Sequence, residues 1–435
     1  MYLAIIGFLM VFAIVALLLK GKMSPIVVLI FIPAVAALLA GFGVIEVGDF
    51  IKEGVKTTMN NAVLFIFSVI FFGVMSDVGV FDIIVDFLVK RAGANVVAIT
   101  VVTAIIAVIA HLDGATATTV LITIPAMYPI YKRMNIRPHV LLCITAAGMG
   151  VMNLLPWGGP TARTATVLGM EATDLWHILI PIQIFGVITT IALGAILGVI
   201  EKKRGAGVAM AAEESSEIKT EADAKADELK RPKLLWVNAL LTIGLIVTLM
   251  FDVVTSYVVF MVFLSMALIV NFRTLKEQDA RIKAHAPSAL VISATMIAAG
   301  SMVGILSGTG MLEAMANVLI GIIPEALGRF IHIIFGILAL PLGMMIGTDA
   351  YFYGVMPLVI EVGTKYDVTA LNTALTMIIG KNVGLMISPL VPATFLAIGL
   401  VDVELKDHIK FSFKWLFMVS LVTMIAGFVM GIIRF

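Results

Sequence analysis

The sequence predicts an all-α polytopic membrane protein of two inverted repeats, about five spans each, with a re-entrant hairpin and an unwound span in every repeat. Three observations predict it. Of 435 residues, 61% are hydrophobic and 13% charged, and the mean hydropathy is +1.12, outside the range of soluble domains. Apolar runs recur at 2–19, 25–43, 62–75, 176–200, 234–251, 257–270 and 411–433, the kind of stretch that crosses about 30 Å of hydrocarbon. The two halves carry the same features in the same order.

The first run begins at Met1 with no basic residue before it, and Lys20 and Lys22 come after it. It reads as a retained span, not a cleaved signal peptide. With the amino terminus outside, the basic clusters KGK (20–22), YKRMNIR (131–137), EKKR (201–204) and RTLKEQDARIK (273–283) all face the cytoplasm. Loops assigned outside carry mainly acids: Glu46, Asp49, Glu171, Asp174, Asp252, Glu313 and Glu361. This is the positive-inside pattern of a multi-pass protein of the cell membrane. The single Cys143 lies in apolar sequence, so no disulfide framework is expected. Membrane lipid is the expected surroundings, and nucleic acid is not an expected partner.

From Gly205 the composition turns small, charged and free of aromatics, which predicts a solvated cytoplasmic linker over 205–230. It separates a first repeat, 1–204, from a second, 231–435. GVMSDVGVFDIIVDFLV (73–89) aligns without a gap on GILSGTGMLEAMANVLI (304–320), keeping Gly73/Gly304, Ser76/Ser307 and Gly79/Gly310, with an acid at Asp82/Glu313. AHLDGATA then meets IGTDAYFY, NLLPWGGPTA (153–162) meets GLMISPLVPAT (384–394), and each half closes on a long apolar helix. An odd number of crossings per half inserts the second half upside down, an arrangement found in secondary transporters.

Within the first repeat, residues 95–131 place the polar tip HLDGATATT between two apolar arms. An arm of about 16 residues spans about 23 Å, short of the bilayer core. Basic residues stand at both feet: Lys90 and Arg91, Lys132 and Arg133. The segment therefore reads as a hairpin entering from the cytoplasm, its second arm interrupted by Pro125 and Pro129. Its counterpart, 330–361 with the tip GTDAYFYG, should enter from outside. NLLPWGGPTAR and KNVGLMISPLVPAT each set two prolines close together in apolar sequence, which breaks a helix. Unwound backbone at that depth must line an enclosed cavity, so two tips and two breaks should converge on one polar site.

Ionisable groups inside a membrane cost about 2.5–3.5 kcal/mol each on insertion scales, so Asp113, Arg163, Asp349 and Lys381 call for a function or a mutual pairing. Arg163 can hold a carboxylate with a planar fork, and Lys381 offers a second, movable positive charge. Thr116, Thr118 and Thr119 are placed to cap a half-helix whose amides attract anions. Asp113 and Asp349 supply hard oxygens for a metal ion, or proton-accepting sites. His111 reads either as a hydrogen-bonded wedge or as a proton carrier. Asn153 and Asn382 read as caps of the breaks or as substrate contacts. Gly158 and Gly159 permit close backbone approach; Thr161, Thr348, Ser388 and Thr394 complete the candidate substrate-binding set. No phosphate loop, zinc motif or thiol–histidine arrangement is present, so an enzyme is not expected. A small anion moving with a cation suits this pocket; a channel is the competing class.

HLDGATATTVLITIPAMYPIY and NLLPWGGPTARTATVLG resemble the citrate–divalent metal:proton symporters (CitMHS) of the ion transporter superfamily, over the length of the chain. Distant relatives carry Ser-Asn-Thr at each tip; here the tips read Asp113-Gly-Ala-Thr and Thr348-Asp349-Ala. The resemblance implies import of citrate complexed with Mg²⁺, Ca²⁺ or a similar metal as co-substrate, driven by protons, with no permanently bound cofactor. It also implies a homodimer and elevator-type movement. Import of another small organic anion, or sodium/proton antiport, is the alternative.

Overall fold

The apolar runs fold as helices in the computed structural model, which describes residues 1–434 except 21, 82–84, 86, 89, 90, 92, 94, 208–227, 252 and 253. The acid match at Asp82, the hairpin foot at Lys90, the outer acid Asp252 and all but the ends of the 205–230 linker lie outside the described residues. The first half comprises α1 (Tyr2–Lys20), α2 (Pro25–Leu39), α3 (Val44–Asp77), α4 (Val96–Ala110), α5 (Thr116–Arg133), α6 (Pro138–Met152), α7 (Gly159–Leu168) and α8 (Ala172–Lys203). The second comprises α9 (Leu235–Phe251), α10 (Ser256–Asn271), α11 (Leu275–Gly308), α12 (Met311–Ile320), α13 (Ile331–Ile346), α14 (Met356–Thr364), α15 (Ala370–Lys381), α16 (Pro392–Leu400) and α17 (Leu405–Val429). Seven helical segments among the described residues are long and apolar enough to cross a bilayer. Phe12, Phe31, Trp236, Leu240 and Ile425 are exposed on the outside, where a lipid solvent removes the penalty for doing so.

Helices α3 and α11 are the spine. Both run 34 residues, and both begin with a glutamate reaching back to the cap amide. Gly43 N–H donates to Glu46 Oε2 at 2.7 Å, and Thr274 N–H to Glu277 Oε2 at 3.0 Å. Both end two residues before a glycine of positive φ, 82° at Gly79 and 68° at Gly310. They cross backbone to backbone: a Cβ on Gly54 would overlap the Gly300 carbonyl, and one on Gly304 would overlap the Phe50 carbonyl. Gly300, Gly304 and Gly308 recur every fourth residue, the small-residue spacing by which membrane helices approach closely.

The 15-residue α4 and the 18-residue α5 form the first hairpin. Pro125 and Pro129 lie inside α5 without ending it, contrary to the interrupted arm expected above. Four residues apart, they share one face and remove donors from one side only, so the helix carries on around them. In the second hairpin, α13 is followed by a wide π turn over Ala350–Val355 and then α14. That turn buries Tyr351, Phe352 and Tyr353 completely. At the foot of the first half, buried Glu201 of α8 accepts hydrogen bonds from Arg137 Nε at 2.7 Å and from the Arg137 amide at 3.0 Å, tying α8 to the start of α6.

Candidate substrate-binding site

Both tips and both breaks line one cavity of about 580 Å³, closed on its other side by the spine. Asp113, Thr116 and Thr118 come from the first tip, Thr348 and Asp349 from the second. Asn153, Trp157 and Gly159 come from the first break, Arg163 from α7, and Leu385, Leu390, Val391 and Pro392 from the second break and its exit. The spine contributes Phe65, Val69, Gly73, Ser76 and Asp77 of α3, with His285, Ser288 and Ile292 of α11.

The first tip is a tight turn over His111–Asp113, reversed by Gly114 at φ 70°. Asp113 Oδ1 accepts the Ala115 amide at 2.8 Å, fixing the carboxylate at the mouth of α5. The cap of α5 is Ala115 and makes no side-chain bond, so the expected threonine cap is not formed. Thr116 and Thr118 are already helical, and Thr119 turns back to His111 Nδ1 at 2.6 Å. First-turn amides of a helix have no acceptor within it, and here that turn borders the cavity. His111 lies behind the tip, fully buried, with Nε2 3.1 Å from Asn153 Oδ1. Asn153 lines the cavity, while its Nδ2 is buried without a hydrogen-bond partner.

Trp157 holds the first break. Its Nε1–H donates to Leu112 O at 2.7 Å, and its ring lies 4.9 Å from Phe72 of α3 and 5.2 Å from Phe260 of α10. At the second tip, Gly347 turns the chain at φ 81°. Asp349 Oδ1 then accepts from Arg163 Nε at 2.7 Å. This pair joins the two halves across the cavity, each side chain about a fifth exposed. Gly159 leaves room for Arg163: a Cβ there would lie 2.6 Å from Nη1.

The structure therefore brings Asp113, Thr116, Thr118, Asn153, Gly159, Arg163, Thr348 and Asp349 together. It sets Gly158, Thr161, Lys381, Asn382, Ser388, Thr394 and His111 behind the lining. Ser388 Oγ donates to Met344 O at 2.8 Å, and Thr161 Oγ1 to Asn153 O at 3.1 Å, so both fasten the breaks. Gly158 closes the first break, where a Cβ would overlap Asn153 O. Thr394 is fully buried in α16 with its hydroxyl unpartnered, and Asn382 Oδ1 is likewise unpartnered.

Sequence reasoning missed the spine wall. Asp77 Oδ2 accepts from His285 Nε2 at 2.8 Å and from Arg281 Nη1 at 3.2 Å, and the imidazole lies directly on Gly73, where no Cβ could fit. The signal was present: a carboxylate ends the apolar run of α3, and a histidine opens that of α11.

An all-helical membrane fold whose broken elements from both halves enclose one polar cavity defines a polytopic transporter. The chain belongs to the citrate transporter family, whose model matches residues 9–380. It is 38% identical over 433 residues to a citrate transporter of Bacillus subtilis (strain 168), covering 100% of both chains. It is 38% identical over 431 residues to the Mg(2+)/citrate complex secondary transporter of the same organism, covering 99% of each. Among solved structures, the Alcanivorax borkumensis YdaH transporter superposes with a TM-score of 0.60 at 15% identity, covering 87% of this chain and 88% of that one. The two share a fold.

Proposed function

We propose that this transporter imports citrate complexed with a divalent metal ion, coupled to protons, by an elevator-type alternating-access cycle. The observation that carries the reading is the cavity wall itself. It sets an anion-binding group, Arg163, and a carboxylate, Asp113, within one enclosure of about 580 Å³. A metal–citrate complex needs both signs of partner. Its free carboxylate fits the guanidinium donors left over from Asp349 and the α5 amides. Its metal fits Asp113, since Mg²⁺ keeps several waters and takes only one or two carboxylates from a protein. A relative named for the Mg(2+)/citrate complex, 38% identical throughout, supports the same cargo.

The cavity follows α3 from Phe65 to Asp77, toward the end that the basic loops assign to the cytoplasm. The structure thus fits an inward-open state, with tips and breaks as the moving wall and the glycine-locked spine as the fixed one. A homodimer about the spine halves, as the family resemblance implies, would hold that wall still.

The test is uptake of labelled citrate into proteoliposomes with and without Mg²⁺, under an inward proton gradient. Uptake is expected to need both. Equal uptake after chelation overturns the complexed cargo, and Asp113→Asn is expected to weaken the metal requirement more than Arg163→Lys does.

A further inference from the structure

Behind the second tip, away from the cavity, Lys381 ends α15 with its ammonium enclosed. The residue is 4% exposed. Nζ lies 4.9 Å from the centre of the Phe352 ring and 5.6 Å from that of Tyr351. It donates one long hydrogen bond, 3.4 Å, to Thr348 Oγ1. The stem runs over Gly343, where a Cβ would come within 2.6 Å of Cε. Among the described residues no carboxylate forms an ion pair with this ammonium, and the neighbouring Asp349 is bonded to Arg163. An ammonium has three donors; here a hydroxyl takes one, and two aromatic faces lie close to the charge.

A buried charge so lightly held is costly, and an ammonium can shed that cost by giving up its proton where a guanidinium cannot. The contacts also say what would change. Ring attraction depends on the positive charge, and the rings belong to the π turn that follows Asp349. Thr348 is the neighbour of Asp349 and lines the cavity. The state of Lys381 is thereby tied to the placing of the tip. The first tip is also tied at its buried side, where His111 Nε2 lies 3.1 Å from Asn153 Oδ1 of the first break.

We propose that Lys381 is the proton-exchanging residue of the transport cycle: its ammonium holds the second tip in the substrate-binding arrangement, and loss of the proton slackens the tip and releases the anion. The proposal rests on the proton coupling proposed above. The charged and titratable groups around Lys381 are Asp349 and Tyr351 on the tip and Arg163 on α7; Gly343, on α13, packs only against its stem. The route is short. The Nζ–H bond breaks toward Thr348 Oγ1, the hydroxyl passes its own proton to water in the cavity, and the positive charge leaves with it. Reversal on the other side of the membrane reloads the amine.

The test is the affinity of purified, detergent-solubilised protein for Mg–citrate, measured by titration calorimetry between about pH 6 and about pH 8.5 at fixed free Mg²⁺. Lys381→Arg and Lys381→Met are compared with wild type, so the titration of citrate itself is common to all. If protonation favours binding, wild-type affinity falls more steeply with rising pH than that of either variant, by up to about tenfold per pH unit for one linked proton. Both variants are expected to show only the slope of citrate, Lys381→Met at lower affinity. A wild-type slope equal to theirs overturns the proposal, and should one variant fail to fold, the other decides. Failure of proton coupling itself reads out separately, as wild-type proteoliposomes that do not accumulate Mg–citrate under a proton gradient although the difference in binding slopes persists.

Discussion

His285 Nε2 lies 2.8 Å from Asp77 Oδ2, joining α11 to the end of α3 on the wall that faces both hairpin tips. Each side chain is about a fifth exposed, and Arg281 reaches the same carboxylate oxygen. The site is therefore not confined to the elements that break the membrane helices. The spine carries its own polar group on the cavity lining, opposite the tips.

The pairing predicts a measurable coupling. Asp77→Asn and His285→Gln should each slow proteoliposome uptake several-fold, and the double variant should be no worse than the poorer single one. In thermal unfolding in detergent, the double-mutant cycle is expected to return about 1 kcal/mol, the worth of a partly solvated charge-assisted hydrogen bond. Additive losses in both measurements would mean that the residues act separately.

Arg163 and Asp349 predict a different pattern, because one of them is expected to bind substrate as well as its partner. Arg163→Lys keeps the charge and loses the fork, so citrate affinity should fall roughly tenfold, about 1.4 kcal/mol. Exchanging the two charges, Arg163→Asp with Asp349→Arg, restores an ion pair but moves the guanidinium from α7 to the second tip. Uptake should stay abolished; recovery in the exchanged variant would reduce the pair to a structural tie.

These distinctions mark where the sequence could be read and where it could not. The hairpin tips and the breaks are legible because prolines, glycines and polar residues inside apolar runs have few meanings in a bilayer. Asp113, Arg163 and Asp349 are legible for the same reason: an ion at that depth needs a partner. Lys381 looks identical in sequence, yet α15 ends so that its stem runs behind the tip over Gly343, a choice of helix rotation that composition does not carry. Ser388 and Thr161 are hydroxyls beside broken backbone, and such groups serve carbonyls as readily as substrates. Asp77 and His285 escape because each is unremarkable alone, and only the crossing of α3 and α11 makes them one feature.

Trp157 separates a hydrogen bond from a ring. Trp157→Phe keeps an aromatic ring against Phe72 and Phe260 and leaves Leu112 O without its indole donor, an expected loss of about 1 kcal/mol in thermal unfolding. Trp157→Ala also empties a buried ring, with an expected loss of about 3–5 kcal/mol. Uptake should follow the same order, since the bond to Leu112 fixes the residue next to Asp113. If Trp157→Phe matched wild type in both stability and uptake, the bond would not be what positions the first tip.

The spine predicts position-dependent effects of a single methyl group within one helix. At Gly54 a Cβ has no room, because the Gly300 carbonyl and the Gly304 Cα already occupy it; at Gly48, two turns away on α3, nothing lies within 4 Å. Alanine is the better helix former, so Gly48→Ala should be neutral or stabilising by up to about 1 kcal/mol. Gly54→Ala should cost about 1–3 kcal/mol, since two backbones must separate to admit it. Thermal unfolding in detergent measures both, and uptake adds a second reading. Pushing α3 and α11 apart also separates Asp77 from His285, so Gly54→Ala should lower transport even in the fraction that remains folded, while Gly48→Ala leaves it intact. Equal behaviour of the two variants would mean that α3 and α11 are not locked where these glycines meet.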